Sequence, residues 1–353
     1  MRALAALAVV LTVVLSAVGC WDVHDVNDLT PILAIGFDHA NGRWTVSAED
    51  AVVGSGGSGT FQGVVHVGHG ATLAAAVEDI RAHVARRLYV GSARIVAVGR
   101  GALASDLPLI VRRLTEAQEV DETAFIVGST STAQALLASK DGAFGTTSVR
   151  LLKEFESPEM AGHSHVIARV WQLQRDLFGP EPARFAAVPL FDLSGRTSAA
   201  DVGAAVVGPG GRLALRLDRD QSAVLNWITG RQSRQVLFLP DGNRVEADAV
   251  RTRAQLTDMR HLALHLRVRA TAYYVRGAAL VPSPLRAHME QLAAGIVLER
   301  TLSLVRRLEA AGVDPAGWSQ MAVRQGIAGF DVRHLDVAVT VRVTIQPHFA
   351  PSL

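Results

Sequence analysis

The segment Leu335–Ile345, LDVAVTVRVTI, alternates apolar and polar side chains over its whole length. A period of two predicts a β-strand with one buried face and one face toward solvent. The segment Leu262–Tyr274 repeats this pattern, and a long helical pattern, Leu285–Ala311, lies between the two, with Pro284 at its start and Gly312 at its end. Long antiparallel strands covered by one long helix indicate an α+β unit in the C-terminal part of the chain.

The N-terminal part alternates predicted strands with predicted helices. Ile32–Asp38 and Arg43–Ala48 have strand patterns and are joined through Asn41-Gly42, a pair that accepts the left-handed dihedral angles of a tight hairpin. Apolar residues three and four apart from Leu73 to Leu88 predict an amphipathic helix. Shorter segments continue the alternation: strands at Arg94–Gly99, Ala124–Gly128 and Phe185–Leu190, a helix at Leu107–Gln118, and a largely helical region over 150–180.

Together these patterns predict an α+β fold of three small mixed sheet-plus-helix domains after a signal peptide, residues 1–19. The boundaries fall at breaks in the pattern. Residues 20–142 form an N-terminal α/β domain, 143–198 a middle domain or extension that shares strands with its neighbours, and 199–353 a C-terminal α+β domain with the long helix 285–311.

The composition excludes several classes of protein. The chain has 353 residues, 49% of them hydrophobic and 19% charged, which is the opposite of a disordered chain. A net charge of +2 over this length gives no overall field of the kind that nucleic-acid binders carry, so we expect no nucleic-acid partner. A single cysteine excludes internal disulfides and cysteine-based zinc clusters.

That cysteine, Cys20, ends an export signal. Arg2 precedes seventeen uncharged residues, Ala3–Gly19, and small residues lead to Cys20, the arrangement of a lipoprotein signal in which the thiol receives a diacylglycerol. We predict Cys20 as the lipidation site of an exported, membrane-anchored protein. The neighbouring Trp21 would suit the membrane interface. A cleaved secreted chain and an uncleaved anchor are the alternatives.

Three groups of residues form a combined pattern along the chain. The N-terminal group begins with Cys-Trp-Asp and ends in a Gly-x-Asp strand, the central group carries a Gly-Ala-Ala-Val strand followed by a Trp-Ile-Thr-Gly-Arg segment, and the C-terminal group joins a helix to a strand. The residues are Cys20-Trp21-Asp22, Asn27-Asp28-Leu29, Ile35–Asp38, Gly203–Val206, Arg212-Leu213, Leu217, Leu225–Arg231, Leu285–Ala311, Asp314 and Val337–Ile345. This pattern resembles the Ger(x)C family of spore germination lipoproteins, the C subunits of germinant receptors.

The resemblance implies a non-enzymatic protein held on the outer face of the inner spore membrane, needed for receptor assembly and germination signalling. It implies integral-membrane A-type and B-type subunits as partners and nutrients as the signal, with no cofactor. A solute-binding lipoprotein of the cell exterior is the alternative function, and it would need a deep cleft between two similar lobes.

Other motifs have more ordinary explanations. Gly54–Gly59 fits a dinucleotide fingerprint but precedes a strand pattern rather than a helix, so we interpret it as a loop. We interpret the histidine pairs as surface residues and expect no metal site, and the acidic residues near the second hairpin as solvated turn residues; these are His66/His69, His163/His165, His261/His265, Asp218, Asp220, Glu246 and Asp248. Trp227 and Trp318 are either core residues or partner contacts.

Overall fold

The structure is a computed structural model that describes residues 29–53, 61–117, 120–140, 144–157, 165–179, 185–193, 198–231, 234–273 and 281–350. Strands of the N-terminal part are β1 (Leu29–Ala40), β2 (Arg43–Val53), β3 (Phe61–Gly70), β4 (Arg87–Tyr89), β5 (Ile95–Val98), β6 (Phe125–Ser129), β7 (Ala186–Asp192), β8 (Ala200–Val207) and β9 (Leu213–Leu217). Helices of this part are α1 (Leu73–His83), α2 (Arg100–Ser105), α3 (Leu107–Ala117), α4 (Ala133–Ala138), α5 (Thr147–Glu156) and α6 (Val170–Phe178).

These nine strands form one sheet in the order β3-β2-β1-β5-β6-β7-β8-β9, with β4 beside β1. The pairs β1–β5, β5–β6 and β6–β7 are parallel, and the strands at both ends pair antiparallel. The β1–β2 hairpin turns at Asn41-Gly42, where both residues have positive φ angles of 52° and 69°. The predicted Asn-Gly hairpin is therefore confirmed.

Helices cover the large sheet on both faces. On one face α1, α2, α3 and α6 share a core with Ile35, Phe37 and Val96. On the other face α4 and α5 share a core with Ala34 and Ile95, the alternate residues of the same strands. Strands buried on both faces have short, continuous apolar sequences because neither face meets water.

The C-terminal part forms a smaller sheet. Its elements are α7 (Arg219–Ile228), β10 (Gln235–Phe238), β11 (Arg244–Leu256), β12 (His261–Tyr273), α8 (Ser283–Ala311), α9 (Trp318–Arg324) and β13 (Asp336–Ala350). The strands lie in sequence order, β10-β11-β12-β13, and α7 and α8 cover one face. The structure combines helices with two separate sheets, which confirms the predicted α+β class.

Two expectations about local structure are wrong. The strands β12 and β13 are parallel rather than antiparallel, because α8 carries the chain back to the end at which β12 began. The first helix ends at His83, since Val84 is extended, and Leu88 instead lies on β4, which pairs with the start of β1.

Hydrogen bonding in the large sheet continues past both predicted domain boundaries, because β7, β8 and β9 belong to it. Strand β8 also joins the two sheets. Ala205 and Val207 lie in the core of the large sheet, whereas Ala204 and Val206 lie in the core of the small sheet. The division into three domains stays a prediction.

Candidate functional site

Two of the predicted site residues, Cys20 and Trp21, lie outside the described residues. The other two, Trp227 and Trp318, are 0% and 1% exposed. Trp227 lies on α7 in the core of the small sheet, where its backbone carbonyl accepts a hydrogen bond of 2.6 Å from the Thr252 hydroxyl. Both indoles are enclosed by the chain itself, so neither offers the exposed surface that a partner contact would need.

Trp318 begins α9 and is positioned by Asp314. The carboxylate of Asp314, 4% exposed, accepts hydrogen bonds from the backbone N–H groups of Gly317, Trp318 and Ser319 and from the Ser319 hydroxyl. A carboxylate that satisfies the free N–H groups of a helix start stabilises that start. Asp314 therefore sets the direction in which Trp318 enters the core.

A group of buried charges lies where α5, the segment 165–169 and β8 meet. We call Arg150, Glu154, His165 and Asp201 the junction cluster. His165 Nδ1 lies 2.9 Å from Asp201 Oδ2, and His165 Nε2 lies 3.5 Å from Glu154 Oε2. Arg150 pairs with Glu154 and also donates a hydrogen bond of 2.8 Å to the carbonyl of Ala199. Two cationic and two anionic groups thus lie together in the interior.

The electrostatics of the cluster favour a charged imidazole. Burial lowers the pKa of His165, but the neighbouring carboxylates of Asp201 and Glu154 outweigh burial, so the pKa of the imidazole is raised. Burial likewise raises the pKa of Glu154, but His165 and Arg150 outweigh it, and the pKa of this carboxyl is lowered. Phe155 and Phe191 border the His165 ring, with centroids 5.7 Å and 5.4 Å away.

The same segment is held from its other side by the start of the C-terminal part. The Asn226 side-chain amide donates a hydrogen bond of 2.7 Å to the His165 carbonyl, and Arg231 Nη1 donates one of 2.8 Å to the Ile167 carbonyl. These bonds connect α7 and the residues after it to the segment that pairs with the start of β6 in the large sheet. The junction cluster therefore joins α5, the segment 165–169 and β8, while Asn226 and Arg231 tie that segment to the C-terminal part. The cluster presents no exposed imidazole, since His165 is 8% exposed.

Sequence reasoning missed this cluster. The sequence predicts His165 on the surface with His163, which lies outside the described residues. In the structure, carboxylates and aromatic rings bury His165, so this prediction is wrong. Its partners are remote in sequence. The one feature of the local sequence that indicates part of the cluster is the spacing of Arg150 and Glu154, which are one helical turn apart.

The acidic residues assigned to turns also lie in regular structure, which corrects that interpretation. Asp218 is the N-cap of α7 and accepts a hydrogen bond from the Gln221 N–H, while the Gln221 side chain accepts one from the Asp218 N–H. This capping box starts a helix that the apolar pattern did not indicate. Glu246 and Asp248 lie on β11.

A second buried acid, Glu49, lies on β2 and is 1% exposed. Burial raises its pKa to about 7, against the opposing effect of the Ser148 and Thr146 hydroxyl groups. Because the folded state holds a proton that the unfolded state releases near pH 4.5, this group favours folding fully below pH 4.5 and loses that contribution as the pH rises to about 7.

We expect Glu49→Gln to change the pH dependence of stability. At pH 8 the variant should be more stable than the unchanged chain by up to about 3 kcal/mol, because it avoids a buried carboxylate, whereas near pH 4.5 the two should be nearly equal. Urea unfolding at both pH values measures this difference. The exposed Glu122→Gln is the matched control, and equal effects of the two substitutions at pH 8 would contradict the assignment.

Cavities in the described part of the chain also lie outside the junction cluster. A groove of 490 Å³ lies between α7, the β10–β11 turn and α8, and its lining includes Asp220, Phe238 and Arg300. A smaller cavity of 120 Å³ lies between α1 and α3. Among the residues that the structure describes, no group of three or more His, Cys, Asp or Glu side chains could hold a metal ion. None of the helices within the described ranges has the length and apolar character needed to cross a membrane.

Comparison with known proteins identifies the family. Residues 22–190 match the family model of the spore germination protein N-terminal domain. The whole fold is similar to the crystal structure of the GerBC protein, with a TM-score of 0.56 and 12% sequence identity over 88% of this chain and 96% of that chain. No curated protein sequence matches the chain. The expected resemblance to the spore germination proteins of the Ger(x)C family is confirmed: residues 22–190 match their N-terminal domain, and the fold is similar to that of GerBC.

Proposed function

We propose that the protein is a lipid-anchored, non-enzymatic subunit of a nutrient-germinant receptor on the outer face of the inner spore membrane. The observation that carries this proposal is the match of residues 22–190 to the spore germination protein N-terminal domain. The subunit would act in receptor assembly and in passing on the germination signal, together with integral-membrane A-type and B-type subunits.

In this proposal Cys20 carries the lipid. Each acyl CH₂ group that enters the bilayer contributes about 0.8 kcal/mol, so two chains hold a protein at the surface far better than one. Confinement raises the effective concentration of the protein near integral-membrane partners. Strand β8 and the hydrogen bonds from Asn226 and Arg231 to the segment 165–169 support a role in coupling, because they connect the two sheets, so that a partner bound to one sheet would affect the position of the other.

A solute-binding lipoprotein remains the alternative function. Such a protein needs two similar lobes around a deep cleft, whereas the two sheets described here differ in size, with nine strands and four. The 490 Å³ groove also lies against the small sheet and α7 rather than between similar lobes. These features favour the receptor subunit.

The Cys20→Ala substitution tests the proposal. We expect the variant to lose lipid labelling, to leave the membrane fraction, and to abolish nutrient-triggered release of dipicolinate from spores. The matched control is Ser16→Ala, which changes the signal segment and keeps the cysteine. Spores of the Cys20→Ala strain that germinate normally and retain the protein in the membrane would contradict the anchoring role.

A further inference from the structure

Within the described part of the chain, one face of the small sheet has no covering helix. Alternate residues of β12 from Leu262 to Ala272 are buried against α7 and α8, and the residues between them point to the other side. That other side carries exposed arginines from three strands. We call Arg251, Arg253, Arg267, Arg269 and Arg342 the arginine face.

Strand register brings these arginines together. Arg251 on β11 lies directly opposite Arg267 on β12, and Arg267 lies directly opposite Arg342 on β13. Three guanidinium groups are therefore attached side by side, on strands about 4.8 Å apart. Arg253 lies opposite His265, another exposed and basic residue. Arg269 is two residues further along β12 and points to the same side.

No carboxylate of the described residues pairs with any of these five side chains. The acidic groups of the sheet lie at its two ends and have other partners. At one end Glu246 accepts a hydrogen bond from Tyr273, and Asp248 accepts one from Thr271; at the other end Asp258 and Asp336 contact His261. Since five arginines contribute +5 to a chain with a net charge of +2, the rest of the chain is net negative.

The side-by-side placement of these arginines does not stabilise the small sheet. Like charges directly opposite each other on neighbouring strands destabilise a sheet. Two such contacts, Arg251 with Arg267 and Arg267 with Arg342, lie side by side. An anionic surface that covered them would remove this repulsion.

The same face also carries exposed apolar residues. Val236 and Phe238 on β10 are 39% and 72% exposed, and they lie opposite Glu246 and Arg244 of β11. Because β10 is an edge strand, Phe238 also borders the 490 Å³ groove. Basic residues beside an exposed aromatic ring are typical of surfaces that lie in the headgroup region of a bilayer.

We propose that the arginine face rests on an anionic lipid surface and so orients the C-terminal part of the chain on the membrane. This inference rests on the anchoring proposed for Cys20, which would keep the face close to headgroups. A broad, flat sheet face does not fit a duplex groove, which takes a helix or a two-stranded ribbon. A single nucleic-acid strand would require stacking aromatic rings between the arginines, whereas the aromatic residues on this side, Phe238 and Tyr273, lie at the end of the sheet beside Arg244.

The test uses the processed full chain in vesicles with a fluorescent label on an introduced cysteine and a quencher on the lipid headgroup. Thr340→Cys places the label among the arginines, opposite His265. Gln291→Cys places it on the exposed side of α8, on the far side of the sheet. We expect strong quenching at position 340 and weak quenching at 291 in vesicles with about 30% phosphatidylglycerol. Pure phosphatidylcholine, or about 0.5 M NaCl, should abolish the difference.

A triple variant, Arg251→Gln, Arg267→Gln and Arg342→Gln, tests the residues themselves. Each arginine near an anionic surface contributes about fivefold to binding, so the docking equilibrium should fall about 100-fold and quenching at position 340 should fall to the phosphatidylcholine level. The thermal midpoint should not fall, because the substitutions remove repulsion, and this separates lost docking from misfolding. The control triple variant, Arg86→Gln, Arg113→Gln and Arg324→Gln, removes the same charge elsewhere and should keep the quenching.

Equal quenching at positions 340 and 291, or quenching that does not depend on phosphatidylglycerol, would overturn the inference and would favour an acidic protein surface as the partner. Failure of the anchor gives a different result, because Cys20 would then take up the label and the chain would not float with phosphatidylcholine vesicles. In that case salt-sensitive flotation with phosphatidylglycerol vesicles would still support the arginine face, and its absence would overturn it.

Discussion

Replacing Trp227 with alanine should lower the free energy of unfolding by about 3–5 kcal/mol. The indole is completely buried in the core of the small sheet, which it shares with residues of α7, α8 and β12, and its removal leaves a cavity that the surrounding strands cannot fill. Because β8 contributes Ala204 and Val206 to this core, we expect the loss to weaken the connection to the large sheet as well.

Urea unfolding of the processed chain measures this effect. The matched control is Trp171→Ala, since Trp171 lies on α6 and is 39% exposed. That substitution should cost about 1 kcal/mol or less. A loss for Trp227→Ala no larger than the loss for Trp171→Ala would contradict the packing role.

The second large effect is expected at the junction cluster. Asp201→Asn should lower the free energy of unfolding by about 3–5 kcal/mol at pH 6, because it leaves the buried His165 without one of its two carboxylates. Asparagine keeps the shape of the side chain and can still accept the hydrogen bond from the Gly203 N–H. The expected loss of stability therefore comes from removing a charge and not from poorer packing.

The pH dependence has a definite sign. The pKa of His165 is raised in the folded state, so its pairing with Asp201 contributes fully below the unfolded pKa near 6.5 and is lost as the pH rises through the folded pKa. Asp201→Asn should then cost less at pH 9 than at pH 6. Asp336→Asn, which removes the exposed carboxylate 3.6 Å from His261, is the matched control and should cost about 1 kcal/mol or less. A pH-independent loss at Asp201 would contradict a charged His165.

Local sequence predicted the elements whose signals are contained in a single segment. The β1–β2 hairpin follows from Asn41-Gly42, and the ends of α8 follow from Pro284 and Gly312, whose φ angle is +66°. In each case the relevant preference belongs to the backbone of the residue itself, so no distant partner is needed to express it. The family resemblance likewise rests on short motifs, each of which is contained in one segment of the sequence.

The junction cluster could not be predicted in this way. Arg150 and Glu154 were recognisable as a helical pair, but nothing near His165 indicates that Asp201 lies 2.9 Å from its ring. The cost of burying a charge depends on partners that long-range folding supplies. The sequence likewise does not decide whether Trp227 is buried, because its burial depends on how α7 packs against the small sheet.

The amino-acid order alone indicates most of the strands and helices and which side of each is apolar, because periodicity reflects the difference between a buried and a solvated face. It also places the single cysteine, Cys20, at the end of a segment that is predicted to be an export signal. It does not indicate α7 or the end of α1. Tertiary structure decided which of those faces meet. Arg251, Arg267 and Arg342 are far apart in the chain and become neighbours through strand register, and β8 joins two cores because its two faces pack against different sheets.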